Sequence, residues 1–110
     1  MTKYFKELSD LDKMDKEFLL KLDRARDLAG IPFKINSAYR TPEHNAKIGG
    51  KPNSSHLKGL AVDISVTNSR QRFIILKALL DTGFNRIGIA KSFIHVDDDK
   101  SKDSQVVWLY

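Results

Sequence analysis

Apolar positions recur along the 110-residue chain with two different periods, and the change from one to the other marks the elements. From Met14 onward, Met14, Phe18, Leu22, Ala25 and Ala29 are spaced by three and four, the stripe of an amphipathic helix. Asp12 stands where an N-cap belongs and Gly30 where a left-handed stop belongs. "PFKINSAYR" then alternates, with Phe33, Ile35, Ser37 and Tyr39 on one side and Lys34, Asn36, Ala38 and Arg40 on the other, which predicts a strand with one buried face. Thr41-Pro42 opens a short helix, and Gly49, Gly50, Pro52 and Asn53 turn it into a loop. "AVDISV" predicts a second strand, with Val62, Ile64 and Val66 inward and Ala61, Asp63 and Ser65 outward.

A second long helix is predicted over "RQRFIILKALLDTG", capped by Ser69, buried along Phe73, Leu76 and Leu80, and stopped by Gly83. "RIGIAK" and "FIHVDD" follow as two short strands about a turn near Lys91 and Ser92. In the later one Ile94 and Val96 point one way while Phe93, His95 and Asp97 point the other. "QVVWLY" predicts a last strand. Neither a repeat nor a linker divides the chain, so residues 1–110 are expected to form one small α+β domain whose central antiparallel sheet packs against helices.

Composition narrows the chemistry. The sequence has no cysteine, which excludes disulfides and thiolate metal sites, so any metal must be held by histidine and carboxylate. A net charge of +5 suits an anionic partner. The lysines and arginines are scattered, however, and aromatic residues do not alternate with them, which argues against a nucleic-acid platform. The opening "MTKYFKELSDLDKMDKEF" carries charges every few residues and lacks the apolar stretch of a signal peptide, and no segment is long enough to span a membrane. Synthesis in the cytoplasm and no membrane partner are the expectation.

Two predicted strands place a potential ligand on the face opposite their β-branched residues: Asp63 in one and His95 in the other. As neighbours in an antiparallel sheet they would converge, with His56 arriving from the preceding loop. Two imidazoles and one carboxylate suit a single zinc ion and leave its fourth position for water, the arrangement of a catalytic site. Taken singly, each residue reads more readily as structural, a hydrogen-bonded loop histidine or a turn or edge aspartate, than as a ligand.

The string Ser54-x-His56-x-x-Gly59-x-Ala61-x-Asp63, with "FIHVD" downstream and "SAYRTPEHNAKIGG" upstream, resembles the zinc D-alanyl-D-alanine carboxypeptidases and L-alanyl-D-glutamate endopeptidases of peptidoglycan. These peptidases share their fold with the hedgehog N-terminal domain. The likeness runs from about Ile35 to Asp97. It implies one zinc held by His56, Asp63 and His95, Arg40 reaching toward the substrate carbonyl and its developing oxyanion, and Ser54 hydrogen-bonding or positioning the peptide. The implied partner is a peptidoglycan stem peptide cut by a monomeric enzyme at the cell wall, by carboxypeptidase or endopeptidase action, with zinc-bound water as nucleophile. The expected absence of a signal peptide and of a wall-binding domain suits a phage lytic or virion-borne enzyme, with a bacterial enzyme exported by a separate path as the alternative.

One position departs from the family pattern. Where many members carry an acidic or histidine general base three residues before the last ligand, this chain has Ser92. Asp97 shares a strand face with His95 and is the candidate for general base, or for the group that orients the water or His95. A zinc-retaining module without turnover is the alternative that Ser92 keeps open. Glu43 and His44 are read as helix-surface residues, and Trp108 and Tyr110 either pack under the sheet or line the cleft.

Overall fold

The computed structural model describes residues 1–110. Its strands are β1 (Ile35–Ser37), β2 (Ala61–Ser65), β3 (Arg86–Ile89), β4 (Phe93–Asp97) and β5 (Val106–Leu109), and its helices α1 (Lys16–Ala29), α2 (Pro42–Lys47) and α3 (Ser69–Thr82). All five strands form one sheet in the order β1-β2-β4-β3-β5. The first four pair antiparallel, and β5 adds to the edge parallel to β3. The parallel edge follows from connectivity: β4 ends where β3 begins, so a chain returning past β3 must run in the same direction as β3. The α+β class matches the alternation in the sequence.

Strand residues with one phase, Val62, Ile64, Ile87, Ile94 and Val96, are fully buried and join Phe18, Leu22, Ile75 and Leu79 of α1 and α3 in one apolar cluster. Each fully buried side chain of this size stabilises the fold by about 1.5–3 kcal/mol. The two long helices therefore cover one face of the sheet and leave the other for Asp63, His95 and Asp97.

Four local expectations are corrected. Asp12 does not cap α1; it lies in a 3-10 turn, Leu11–Lys13, and Asp15 caps the helix by accepting from the Phe18 amide at 2.9 Å. The later start has a tertiary cause, because Met14 is extended and the Asp15 amide donates to the Gly59 carbonyl at 2.9 Å. Asn68, not Ser69, caps α3, accepting from the Gln71 amide. The buried face of α3 is Ile75, Ala78 and Leu79, whereas Phe73 is 64% and Leu80 46% exposed. Apolar residues lie almost all round "RFIILKALL", so periodicity alone cannot choose the inner face.

The fourth correction concerns β1, which is only three residues long and irregular between Ile35 and Ser37. Alternation would extend it to Arg40. Instead the Ala38 carbonyl and the Arg40 amide turn toward the segment carrying His56: Ala38 O lies 2.7 Å from His56 Nδ1, and Arg40 N donates to His56 O at 3.2 Å. The would-be strand end becomes the anchor of the turn that carries His56.

Register then sets the site. Across the sheet, Ser37 pairs with Asp63, Asp63 with His95, His95 with Gly88, and Gly88 with Trp108. One row of cross-strand neighbours thus runs through all five strands on the open face. Side chains directly opposite one another in such a row have Cβ atoms about 4.5–5.5 Å apart.

Gly59 sets the height of the His56 turn above that row. It ends the 3-10 turn Ser55–Lys58 with φ +69°, and a Cβ there would lie 2.1 Å from the Lys13 carbonyl oxygen. Gly59→Ala should cost about 2–5 kcal/mol, combining about 1–2 for a left-handed residue with a Cβ and about 1–3 for overpacking against backbone. Thermal unfolding followed by circular dichroism checks this, and an unchanged midpoint would refute the close approach.

Candidate metal centre

His56, Asp63 and His95 come together on the open face, with one ligand atom from each lying within 4.8 Å of the others. Asp63 and His95 are placed by strand alternation and by direct pairing of β2 with β4. His56 rides on the turn Ser55–Lys58, whose N-cap Ser54 accepts from the His56 amide at 3.3 Å. All three are buried.

Hydrogen bonds behind the histidines decide which nitrogen faces inward. A carbonyl can only accept, so His56 Nδ1 donates to Ala38 O at 2.7 Å and leaves the Nε2 lone pair toward Asp63. His95 Nε2 lies 2.7 Å from Asp97 Oδ2, while its Nδ1 faces Asp63 Oδ1 at 3.0 Å. His56 Nε2 stands 3.4 Å from the same Asp63 oxygen. Donors bonded at about 2.0–2.1 Å to one tetrahedral ion lie about 3.3 Å apart, so these spacings fit edges of a coordination tetrahedron. The donor set, two imidazole nitrogens and a carboxylate oxygen, fits zinc.

Each buried acid has its own cation. Arg40 Nη2 is 3.5 Å from Asp63 Oδ2, and Arg86 Nε donates to Asp97 Oδ1 at 2.6 Å. Burial opposes ionisation of Asp63, but His56 and His95 outweigh it and hold its carboxyl well below the usual range. For Asp97 burial is likewise overcome, by His95, Arg86 and the Asp99 amide, and its pKa is lowered. Burial also disfavours charge on His95, yet the flanking Asp63 and Asp97 raise its pKa. Asp63 and Asp97 are thus each matched by a guanidinium, of Arg40 and Arg86 respectively.

Arg40 is held from three sides. Besides Asp63, its Nε donates to Ser37 Oγ at 3.2 Å and its Nη1 to Asn45 Oδ1 at 3.3 Å. Asn45 is itself buried and donates to the Lys51 carbonyl at 2.9 Å. Glu43 and His44 are exposed on α2, as read from the sequence. Arg40, Ser54 and the triad line one cleft of about 560 Å³, and Trp108 and Tyr110 line it too. The two aromatics therefore face the cleft rather than packing beneath the sheet.

Gly88 makes that aromatic wall possible. A Cβ there would come within 2.5 Å of Trp108 Nε1 and 2.7 Å of Tyr110 Cε2. With no side chain in the way, the indole lies over the strand, its centroid 5.5 Å from the His95 ring, and the Arg86 guanidinium sits 5.1 Å from the Trp108 ring. Sequence reasoning did not single out Arg86, Asn45, Gly88 or Asp99. Arg86 and Gly88 had a signal, since they alternate with the core residues Ile87 and Ile89.

Gly88→Ala should drive the indole off the strand. Trp108 is the sole tryptophan, so its emission should shift to longer wavelength and become more accessible to acrylamide, with the far-ultraviolet circular dichroism unchanged. Wild-type emission and quenching would show that the indole is not seated on Gly88.

No curated protein matches the chain. The family model described as Peptidase M15 matches residues 5–97, a stretch that holds all three candidate ligands and Arg40 and stops short of β5 with its aromatic wall. With most of its length matched, the chain belongs to peptidase family M15, the zinc D-Ala-D-Ala carboxypeptidase-like metallopeptidases of peptidoglycan.

Proposed function

We propose that the chain hydrolyses a peptide bond in peptidoglycan stem peptides, by carboxypeptidase or endopeptidase action, with one zinc held by His56, Asp63 and His95. The observation that carries this reading is the pair of fixed imidazoles. Hydrogen bonds to Ala38 O and Asp97 Oδ2 aim His56 Nε2 and His95 Nδ1 at one carboxylate oxygen. A zinc ion held there supplies Lewis acidity, acidifying water to a pKa of about 7 and polarising a carbonyl.

The chain's own groups then have distinct tasks. Arg40, tethered by Ser37 and Asn45, presents its guanidinium beside Asp63 to the carbonyl oxygen of the scissile bond. Such a preorganised donor contributes about 2.7–4 kcal/mol to the transition state. Ser54 holds the His56 turn through its hydroxyl and borders the substrate. Asp97 orients His95 in this reading, because it is 1% exposed and both its oxygens are engaged, one by His95 and the other by Arg86 and the Asp99 amide. Lys51, Lys102, Arg40 and Arg86 around the cleft attract a stem peptide with free carboxylates. The enzyme works as a monomer at the cell wall.

A second reading is a wall-binding module that holds zinc without turnover. It is favoured by the cleft itself, whose only lining carboxylates are Asp63 and Asp97, and by the serine at position 92.

Digestion of purified peptidoglycan, followed by mass spectrometry of the muropeptides, separates the two and names the bond. New amino termini are expected with wild-type protein and none with zinc-free His56→Ala, whereas stoichiometric zinc without any release would establish the binding module. Arg40→Met should keep its zinc while kcat falls about 10²–10³-fold; wild-type turnover in that variant would remove Arg40 from the mechanism. Raising salt from 50 to 500 mM should raise KM and spare kcat, since screening weakens attraction across the cleft.

A further inference from the structure

Asp97, Asp98 and Asp99 follow one another at the end of β4, and their carboxylates do different things. Asp98 pairs with Lys21 and Lys100 at the surface. Asp99 turns inward and is only 2% exposed. It accepts from Ser55 Oγ at 2.8 Å and from Lys58 Nζ at 3.0 and 3.1 Å. Ser55 immediately precedes His56 and Lys58 lies two residues after it, so both struts grip the turn that carries this histidine. Asp99 is fixed in its own loop by Ser101, whose amide and hydroxyl donate to Oδ1 at 3.1 and 2.7 Å. Lys102 closes the ring by donating to Ser55 Oγ at 2.9 Å and to the Asn53 carbonyl at 2.7 Å.

Asp99, Lys58 and Ser101 stand outside the cleft, which Ser55 and Lys102 border, and a turn as short as Ser55–Lys58 has no long helix or sheet of its own to stiffen it. The Asp99 amide also donates to Asp97 Oδ1 at 3.2 Å, which ties this clamp to the carboxylate behind His95. From this arrangement we infer that Asp99 is a positioning residue for the metal centre. Through Ser55 and Lys58 it fixes the His56 turn over the sheet, so that one strand end, Asp97–Asp99, sets both imidazoles, one directly and one through its turn. Removing a carboxylate hydrogen-bonded directly to a metal ligand typically changes metal affinity by about 10–100-fold; Asp99 acts one contact further out, through Ser55 and Lys58, which sets the expected loss at the lower end of that range.

The inference rests on zinc binding at His56, Asp63 and His95, and its test keeps the two apart. Metal-stripped wild type, Asp99→Asn and Lys100→Ala are titrated with zinc against a chromophoric chelator at 15 °C. The visible spectra of their cobalt(II) forms are compared, with near-ultraviolet circular dichroism monitoring the fold. Wild type and Lys100→Ala should bind one zinc with equal affinity. Asp99→Asn should bind at least about tenfold more weakly, and its cobalt bands should change in position or intensity because the His56 nitrogen has moved. Weaker binding with an unaltered cobalt spectrum would mark Asp99 as merely stabilising and overturn the inference, as would wild-type affinity. Should Asp99→Asn fail to fold, Ser55→Ala combined with Lys58→Met removes the same two struts and is held to the same two readouts. Absence of zinc binding in wild type itself would instead refute the proposed function.

Discussion

Pairing of β2 with β4 is the constraint on which the rest depends. It sets Asp63 opposite His95 on one face and Val62, Ile64, Ile94 and Val96 against the helices on the other. A slip of one residue would turn the apolar set out to solvent and the acids into the core. A slip of two would restore the faces but separate Asp63 from His95. The core and the Asp63–His95 pair therefore fix the same register, and the apolar half of that agreement stabilises the fold by itself.

The open face carries a density of charge that a small domain tolerates only when every group is matched. An unpaired buried ion costs several kcal/mol. Here no buried side-chain nitrogen or oxygen lacks a hydrogen-bond partner. Asp63 meets Arg40 and the two imidazoles, Asp97 meets Arg86 and His95, and Asp99 meets Lys58, Ser55 and Ser101. The pairing also makes the groups directional: a carboxylate fixed by a guanidinium on one side presents a defined oxygen on the other. Preorganisation of this kind lets a cleft act on a substrate without rearranging at the moment of reaction.

Segments outside the regular elements do much of the positioning. Backbone from Ala38 to Arg40 leaves the sheet to meet the His56 turn, Asp15 and Lys13 brace that turn from beneath at Gly59, and Asp99 grips it from the far side. On the opposite flank of the row β5 adds Trp108 beside the bare Gly88. The cleft is thus bounded by Arg40 and the loop on one side and by aromatic rings on the other. The aromatic boundary lies beyond residues 5–97, the stretch matched to the family.

By itself the sequence determined what depends on neighbours along the chain. Strand alternation placed Asp63 and His95 on the face away from the valines and isoleucines, left-handed stops at Gly30 and Gly83 ended the long helices, and the histidine and aspartate spacing around Gly59 pointed to a metal. Tertiary structure decided whatever had more than one local solution. The inner face of α3 was undetermined because its apolar residues encircle the helix. The end of β1 was claimed by His56 rather than β2, and the start of α1 moved to Asp15 because Gly59 needed its amide. Asp99 reads along the chain as one more acid in a solvated turn. Only the approach of residues 41 and 44 positions away, Lys58 and Ser55, converts it into a buried clamp, for hydrogen bonds over such separations have no period and leave no pattern in the sequence.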